Sequence, residues 1–521
     1  MAYRGQTFSI PFARGGVNYS KNYEDVPPEA MVDPSKNVNL HEGGRAKRGG
    51  TAHVNGTAVT SVNDILGGYQ FRLLSGTAFT VFLGDNGSLY KNFTDTINTS
   101  MSTANRPCFE TMDNELFVTD GQTSPQTWDG VAASTSAITT PAADWTGTTQ
   151  PKYCIKHGRG NSERMWFFGV PGFEYRFYYS GNGLGKTVSG GGAGNIDIET
   201  GDGFGIVGGF EFGDRLFGVG KRKIYQLEDS DPSSFNWGYS ATQWEGGAAH
   251  HWLIAKTPND VICMAEDGEI YSVTALQSYG DYKAASLSRP SFIHNWIADN
   301  ANLAEIAQFH CAYDPSLRAV KFFVMRNGQS QIDTALVYFI DRDPKEAWSI
   351  HDNLNEESGY KASSSFVIRK SVGNYKIYTG GYTGFMWELE TAARNDNDNA
   401  YTHKFRNAPD PFGNPRVLKR YRRGWLIFSP RGSYTATVRW WVDSVQQSNL
   451  SVSTAGTGGT YGTALYGTAT YGGQEINEAS FELGAVGKRI QFEVDNSNAG
   501  EDLFCSKLLI DHELIGPRAA A

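Results

Sequence analysis

The chain reads as an all-β protein: a β-propeller of six or seven blades, with an N-terminal extended arm and a C-terminal β-sandwich domain. Two observations predict this. Seven times a strand-like run meets a Gly-rich or polar turn, and a second run follows that carries an aromatic. The clearest copy is DRLFGVGKRKIYQLE at 214–228. One aromatic from each second run gives Tyr90, Trp128, Tyr178, Tyr225, Tyr271, Tyr338 and Trp387. Most steps between them are roughly 40–50 residues, the length a four-stranded blade needs. The composition agrees: 60 glycines, 26 tyrosines and 30 phenylalanines among 521 residues, with only 19% charged, describe a turn-dense β protein and not a helical bundle.

Residues 1–60 hold many turn formers and few long apolar runs. Pro27, Pro28 and Pro34 rule out a continuous helix there. Gly43, Gly44, Arg45, Lys47, Arg48, Gly49 and Gly50 form a short basic, flexible stretch, so the segment reads as an arm wrapped on the surface, and Arg45, Lys47 and Arg48 are candidate contacts to a neighbouring subunit.

Residues 61–395 carry the seven hairpins and read as the propeller. The step from Tyr271 to Tyr338 is the longest and contains an insertion near 288–308. There Phe292, Ile293, Trp296 and Ile297 fall at helical spacing after Ser291, a candidate N-cap, which predicts one amphipathic helix on the propeller. Residues 180–203 are a glycine-rich loop. The polar stretch 390–404 holds the boundary to the next unit.

Residues 396–521 contain five to seven strand-like segments, which suits a small β-sandwich. Between them lies a Tyr/Gly-rich loop, 454–473, with Tyr461, Tyr466 and Tyr471 spaced by five residues. It is too glycine-rich to be core. It reads equally as an exposed loop or as a contact to a neighbouring subunit. The basic run 415–432 carries Arg416, Lys419, Arg420, Arg422, Arg423 and Arg431. On a strand, Lys419, Tyr421 and Arg423 share one face and Arg420 and Arg422 the other. It reads as a charged edge strand or as a docking surface for an acidic protein ring or DNA phosphates.

Chemical motifs are few. SGNGLGKT at 180–187 nearly matches a phosphate-binding loop, but Ser180 stands where glycine is required and VSGGGAGN cannot open a helix. NDNDN at 395–399 lacks the glycine and the bidentate Glu of a calcium loop, and reads as a solvated linker. His250 and His251 are adjacent, so on a strand they point to opposite faces and do not share a metal. Aspartates near the turns, Asp202, Asp214, Asp267 and Asp341, suit Asx-type hydrogen bonding. No Asp-box repeat, GxSxG or HExxH occurs. The sequence therefore predicts no enzyme activity, no cofactor and no metal.

Cys108, Cys154, Cys263, Cys311 and Cys505 are widely spaced and form no CxxC pair. They read as buried free thiols in a reducing compartment. No run approaches the length of a membrane span, and the start, MAYRGQTFSIPFARGG, lacks the apolar core of a signal peptide. The net charge of −9 argues against nonspecific DNA coating, which needs a basic face.

Three separated stretches resemble one family. Residues 15–50 are similar to the N-terminal segment of many bacteriophage tail and head-completion proteins, with Asn37, Val38, Gly44, Arg45, Arg48 and Gly49 in the matching places. Residues 180–228 resemble a propeller hairpin of the same proteins, through Gly201, Asp202, Gly203, Ile206, Gly208, Leu216, Lys221, Ile224 and Tyr225. The end, GKRIQFEVDNSNAGEDLFCSKLLIDHE, looks like the closing strands of their C-terminal β domain. The best match is the tail nozzle, or tail hub, of short-tailed bacteriophages, also called the packaged-DNA stabilisation protein. The resemblance implies a structural virion protein of the tail, assembled in the host cytoplasm into a homo-oligomeric ring, usually a hexamer, below the portal and its adaptor. It also implies a lumen for double-stranded DNA, retention of the packaged genome until ejection, and attachment of tail fibres, spikes or a needle. Such a ring of acidic subunits would let DNA slide without holding it by counterion release. It would close through head-to-tail contacts, with the insertions as candidate contact sites; Arg45, Lys47, Arg48, Arg420, Arg422, Arg423, Tyr461, Tyr466 and Tyr471 are the candidate contacts to a neighbouring subunit or to the adaptor. The alternatives are a propeller that binds host glycans as a receptor-binding protein, which calls for an aromatic-lined pocket, and a propeller glycosidase.

Overall fold

All seven aromatics named above lie on the third strand of a separate antiparallel sheet, and each is buried. The sheets span residues 65–98, 108–137, 153–197, 206–241, 254–272, 310–352 and 364–391. We number them blades 1 to 7. In each, the first three strands follow one another in sequence, and among the described residues blade 5 has three strands where the others have four. The first strands touch one another in order around a complete ring, blade 7 meeting blade 1 through Ser364–Ser371 and Ile65–Arg72. This is a closed seven-bladed propeller, seen in a computed structural model that describes residues 6–22, 26–158, 162–201, 203–231, 233–242, 245–279, 285–352, 361–429, 431–455 and 477–515.

Ring closure uses the chain's beginning. Gly50–His53 pairs with Met386–Thr391 as the outer strand of blade 7, with His53 opposite Trp387. A segment from near the start thus locks the last blade, which would otherwise present an unpaired outer edge.

The rest of the first fifty residues builds the second unit. Its first sheet runs Val38–His41, Gly44–Lys47, Phe504–Ile515, Leu418–Ser429, Asn477–Gly487, with Gln6–Pro11 also paired to Phe504–Ile515. Its second runs Met31–Lys36, Lys404–Asn407, Ile490–Asp495, Thr435–Val442, Val445–Gln446, with Leu450–Ser453 also on Thr435–Val442. Trp440, Phe492, Tyr421, Leu426, Leu508 and Ile510 fill the space between them, in one apolar core continuous with blade 6. The surface arm expected for 1–60 is therefore not what residues 6–53 form. Met31 and Val38 are fully buried, and the register partners are Met31 with Asn407 and Phe8 with Ile510. Pairings at such separation leave no local periodicity to read.

The stretch 395–399, read as a solvated linker, is so only in part: Asp398 is exposed, but Asp396 is fully buried, and Glu390 just upstream is buried too. The insertion holds the helix Ile293–Asn300, which buries Ile293, Trp296 and Ile297. Phe292 is not on that face: it occupies the N-cap at φ 59° and is exposed, while Ser291 is buried one residue earlier. Lys186 of the loop that resembles a phosphate cradle pairs with Glu115 of blade 2, and its neighbours are turns.

Candidate ligand site at the propeller axis

The residues just before the first strands converge on one end of the axis. Asp64 precedes blade 1, Arg106 blade 2, Lys152 blade 3, His250 blade 5, Gln308 blade 6 and Ser363 blade 7, and Lys221 joins them from blade 4. Together they line an open cavity of about 550 Å³. Two adjoining cavities, about 640 and 200 Å³, share Lys221 with it. All seven blades contribute, so only the closed ring forms this site.

Its floor is fixed by Arg106. The guanidinium donates to the carbonyl oxygens of Phe309 at 2.9 Å and Ser363 at 2.8 Å, and to that of Gln308. A cation from blade 2 thus reaches blades 6 and 7 across the axis. Burial lowers its pKa to about 10, and the carbonyl dipoles take the place of a counter-ion. His250 donates from Nε2 to Ile306 O at 2.8 Å and accepts the Trp252 N–H at Nδ1, which sets a single neutral tautomer. Burial pushes its pKa down to about 4. Burial also raises Asp64, with Asp85 adding to the effect, and lifts the Tyr382 phenol to about 12. Tyr153 and Trp252 meet edge to face, centroids 6.4 Å apart.

Deeper on the axis Cys108 and Cys154 lie on neighbouring first strands. Cys108 Sγ accepts the Cys154 N–H at 3.5 Å and stands 4.0 Å from His251 Nε2. The five cysteines are free; all are buried except the partly exposed Cys311. His250 and His251 do turn to different partners, the second accepting from Gly209 N–H. Among the described residues no group of three His, Cys, Asp or Glu side chains is placed to hold a metal ion, and no helix is long and apolar enough to cross a membrane.

The sequence-derived contact residues lie elsewhere. Arg45, Lys47 and Arg48 are fully buried, so they offer no surface to a neighbour. Arg45 donates to Gly15 O at 3.0 Å and stacks against Phe12 and Phe405. Lys47 donates to Asn496 Oδ1 at 3.2 Å and Asn498 O at 2.6 Å. Arg48 pairs with Asp396. Lys47 and Arg48 read as surface charges because Asn496 and Asp396 lie hundreds of positions away, and Arg45 because it is answered by backbone carbonyls and by the Phe12 and Phe405 rings rather than by a counter-charge.

Arg420, Arg422 and Arg423 are exposed, but their strand is flanked on both sides, by Phe504–Ile515 and Asn477–Gly487, and is not an edge. A bulge between Tyr421 and Arg423 breaks the expected alternation, so Arg422 and Arg423 both face solvent while Lys419 and Tyr421 are buried. Arg422 pairs with Glu513 at 2.6 Å and Arg423 donates to Glu482 at 2.8 Å. Tyr461, Tyr466 and Tyr471 fall outside the described residues, as does Asp202.

Sequence reasoning did not find the axial site. Its residues are scattered from 64 to 382, most of them one to four positions before a first strand, with no local motif. The only signal was the blade period itself, since the residue before each first strand must reach the axis.

No protein-family model matches the chain, and no curated protein matches it. Similar solved structures include BBS1N in complex with ARL6DN, 10% identical, covering 66% of this chain and 98% of that one at a TM-score of 0.41. The WD40 domain of Neurospora crassa Pan2 is 8% identical, covering 64% and 98% at 0.35. An exo-β-1,3-galactanase from Phanerochaete chrysosporium is 10% identical, covering 79% and 97% at 0.26. Likenesses this distant bear on no activity, and the closed ring of seven sheets is established by the strand pairing itself.

Proposed function

We propose that this chain is a structural, non-enzymatic tail protein of a short-tailed bacteriophage, a nozzle subunit that channels double-stranded DNA and helps retain the packaged genome until ejection. The observation that carries the reading is the placement of the N-terminal residues that resemble that family. Asn37, Val38, Gly44, Arg45, Arg48 and Gly49 are all buried where the propeller meets the sandwich. Asn37 donates to Thr402 O at 2.6 Å and accepts from Arg48 Nε at 2.9 Å. The Gly49 N–H donates to Glu390 at 2.7 Å. These residues join two β units into one body, which suits a wall element of a ring under load.

The propeller axis is not the conduit in this reading. Arg106 crosses it, and the cavity above, about 550 Å³, is sized for a small molecule rather than a duplex. The lumen has to form between subunits, lined by acidic surface that DNA can pass without sticking. Portal and adaptor rings would lie on one side of the ring, and fibres, spikes or a needle would attach at its exposed loops.

Electron microscopy of purified virions with gold-labelled antibody against this chain is the test. Label at the tail tube is expected. Label on capsid faces or fibre tips, with none at the tube, sinks the reading.

A further inference from the structure

The axial cavity holds two charges that the fold leaves unneutralised. Lys152 lines it, and its ammonium makes no hydrogen bond or ion pair among the described residues. Asp64 lines it too, and its carboxylate likewise has no side-chain partner there. The other charges are spent. Lys221 closes onto Glu266 at 2.6 Å, and Arg106 is held by three backbone carbonyls. Tyr153, Trp252 and Tyr382 supply half-buried rings to the same wall.

We propose that this cavity binds a carboxylate-bearing saccharide, with Lys152 on the carboxylate, Asp64 accepting hydroxyl hydrogens, and the aromatic rings against the C–H face of the sugar. Three features select this class. The cavity of about 550 Å³ falls within the range of small-molecule sites, and its lining mixes the Tyr153, Trp252 and Tyr382 rings with many polar side chains, which suits a hydroxyl-rich ligand with apolar C–H faces. The cations Arg106, Lys152 and Lys221 outnumber Asp64 and Glu266 by one, because His250 is held neutral. In a chain of net charge −9 the mouth is thus locally positive and draws an anion. Asp64 would repel a bare polyanion but suits a ligand that brings hydroxyl donors beside its charge. The inference does not depend on the nozzle reading, and either can fail alone.

Binding is tested by isothermal calorimetry of the full chain with an oligogalacturonate, a neutral galacto-oligosaccharide and an oligoglutamate peptide. The uronate oligomer should bind saturably. The neutral sugar, and the variants Lys152→Met and Asp64→Asn with the uronate, should bind about tenfold more weakly or worse. Thermal unfolding of each variant checks that it is folded. If a variant is not, acetylation of wild-type Lys152 followed by mass spectrometry replaces it, and saturating uronate should protect that lysine. No saturable binding, unchanged affinity in both variants, unprotected Lys152, or equal affinity for the peptide overturns the proposal.

Discussion

Arg48 and Asp396 form a two-point ion pair with no solvent exposure on either side chain. Arg48 Nη1 donates to Asp396 Oδ1 at 2.8 Å and Nη2 to Oδ2 at 2.6 Å. The Tyr401 ring lies 3.8 Å from the guanidinium. Beside them Lys321 donates to Glu390 at 2.6 Å. Burial alone would raise the Glu390 pKa, but Lys321, His351 and Arg48 together hold it well below the usual carboxylate range. Burial and then Lys321 push His351 down to about 3. A set of charges this deep stays only if each is answered.

The joint should therefore be intolerant of half-removal. Asp396→Asn leaves Arg48 without its counter-charge in the interior and should cost about 3–5 kcal/mol. Urea denaturation gives the figure. A loss under about 1 kcal/mol, the range of exposed pairs, would mean water reaches the pair.

Gly49 should admit no side chain. An added Cβ would lie 2.5 Å from the Glu390 Cα, which is backbone and cannot swing away. Gly49→Ala should cost about 1–3 kcal/mol or more through overpacking. Gly56 has nothing within 4 Å of the same point and no positive φ. Gly56→Ala should stay within about 1 kcal/mol of wild type. Thermal melts of the two variants should separate clearly.

His157 should make stability fall on the alkaline side. It bridges blades 3 and 4, 3.4 Å from Glu211 and 3.2 Å from Asp229. Burial alone would lower its pKa, but the hydrogen bonds it donates to Asp229 and Glu211 prevail and raise it to about 9 from the ordinary 6.5. A raised folded pKa stabilises fully below the unfolded value. That contribution is lost as pH climbs from about 6.5 to about 9. Denaturation midpoints at both ends of this window should differ more in wild type than in His157→Gln.

Removing residues 1–60 should abolish folding, because it takes one strand from blade 7 and four from the sandwich. Circular dichroism and size exclusion of the 61–521 fragment check this. A folded, monomeric fragment would restore the surface-arm reading.

The blade positions were legible in the sequence because the first three strands of each blade follow one another in the chain. Tyr90 through Trp387 mark the third strand of every sheet without knowledge of any distant contact. The N-terminal strands were not legible, because Phe8, Met31 and Arg45 find their partners near 510, 407 and 505. Charge misled for the same reason. Lys47 and Arg48 look solvated until Asn496 and Asp396 are brought to them. The axial site needed the closed ring: Asp64 and Lys152 have nothing in common in sequence except the position before a first strand.

The most direct test of the nozzle account is a cryo-EM reconstruction of the assembled tail. The account predicts a closed ring of this chain at the tail tube, its lumen between subunits, and DNA density absent from every propeller axis. Density for this chain outside the tube wall, or DNA threading a propeller, would contradict it.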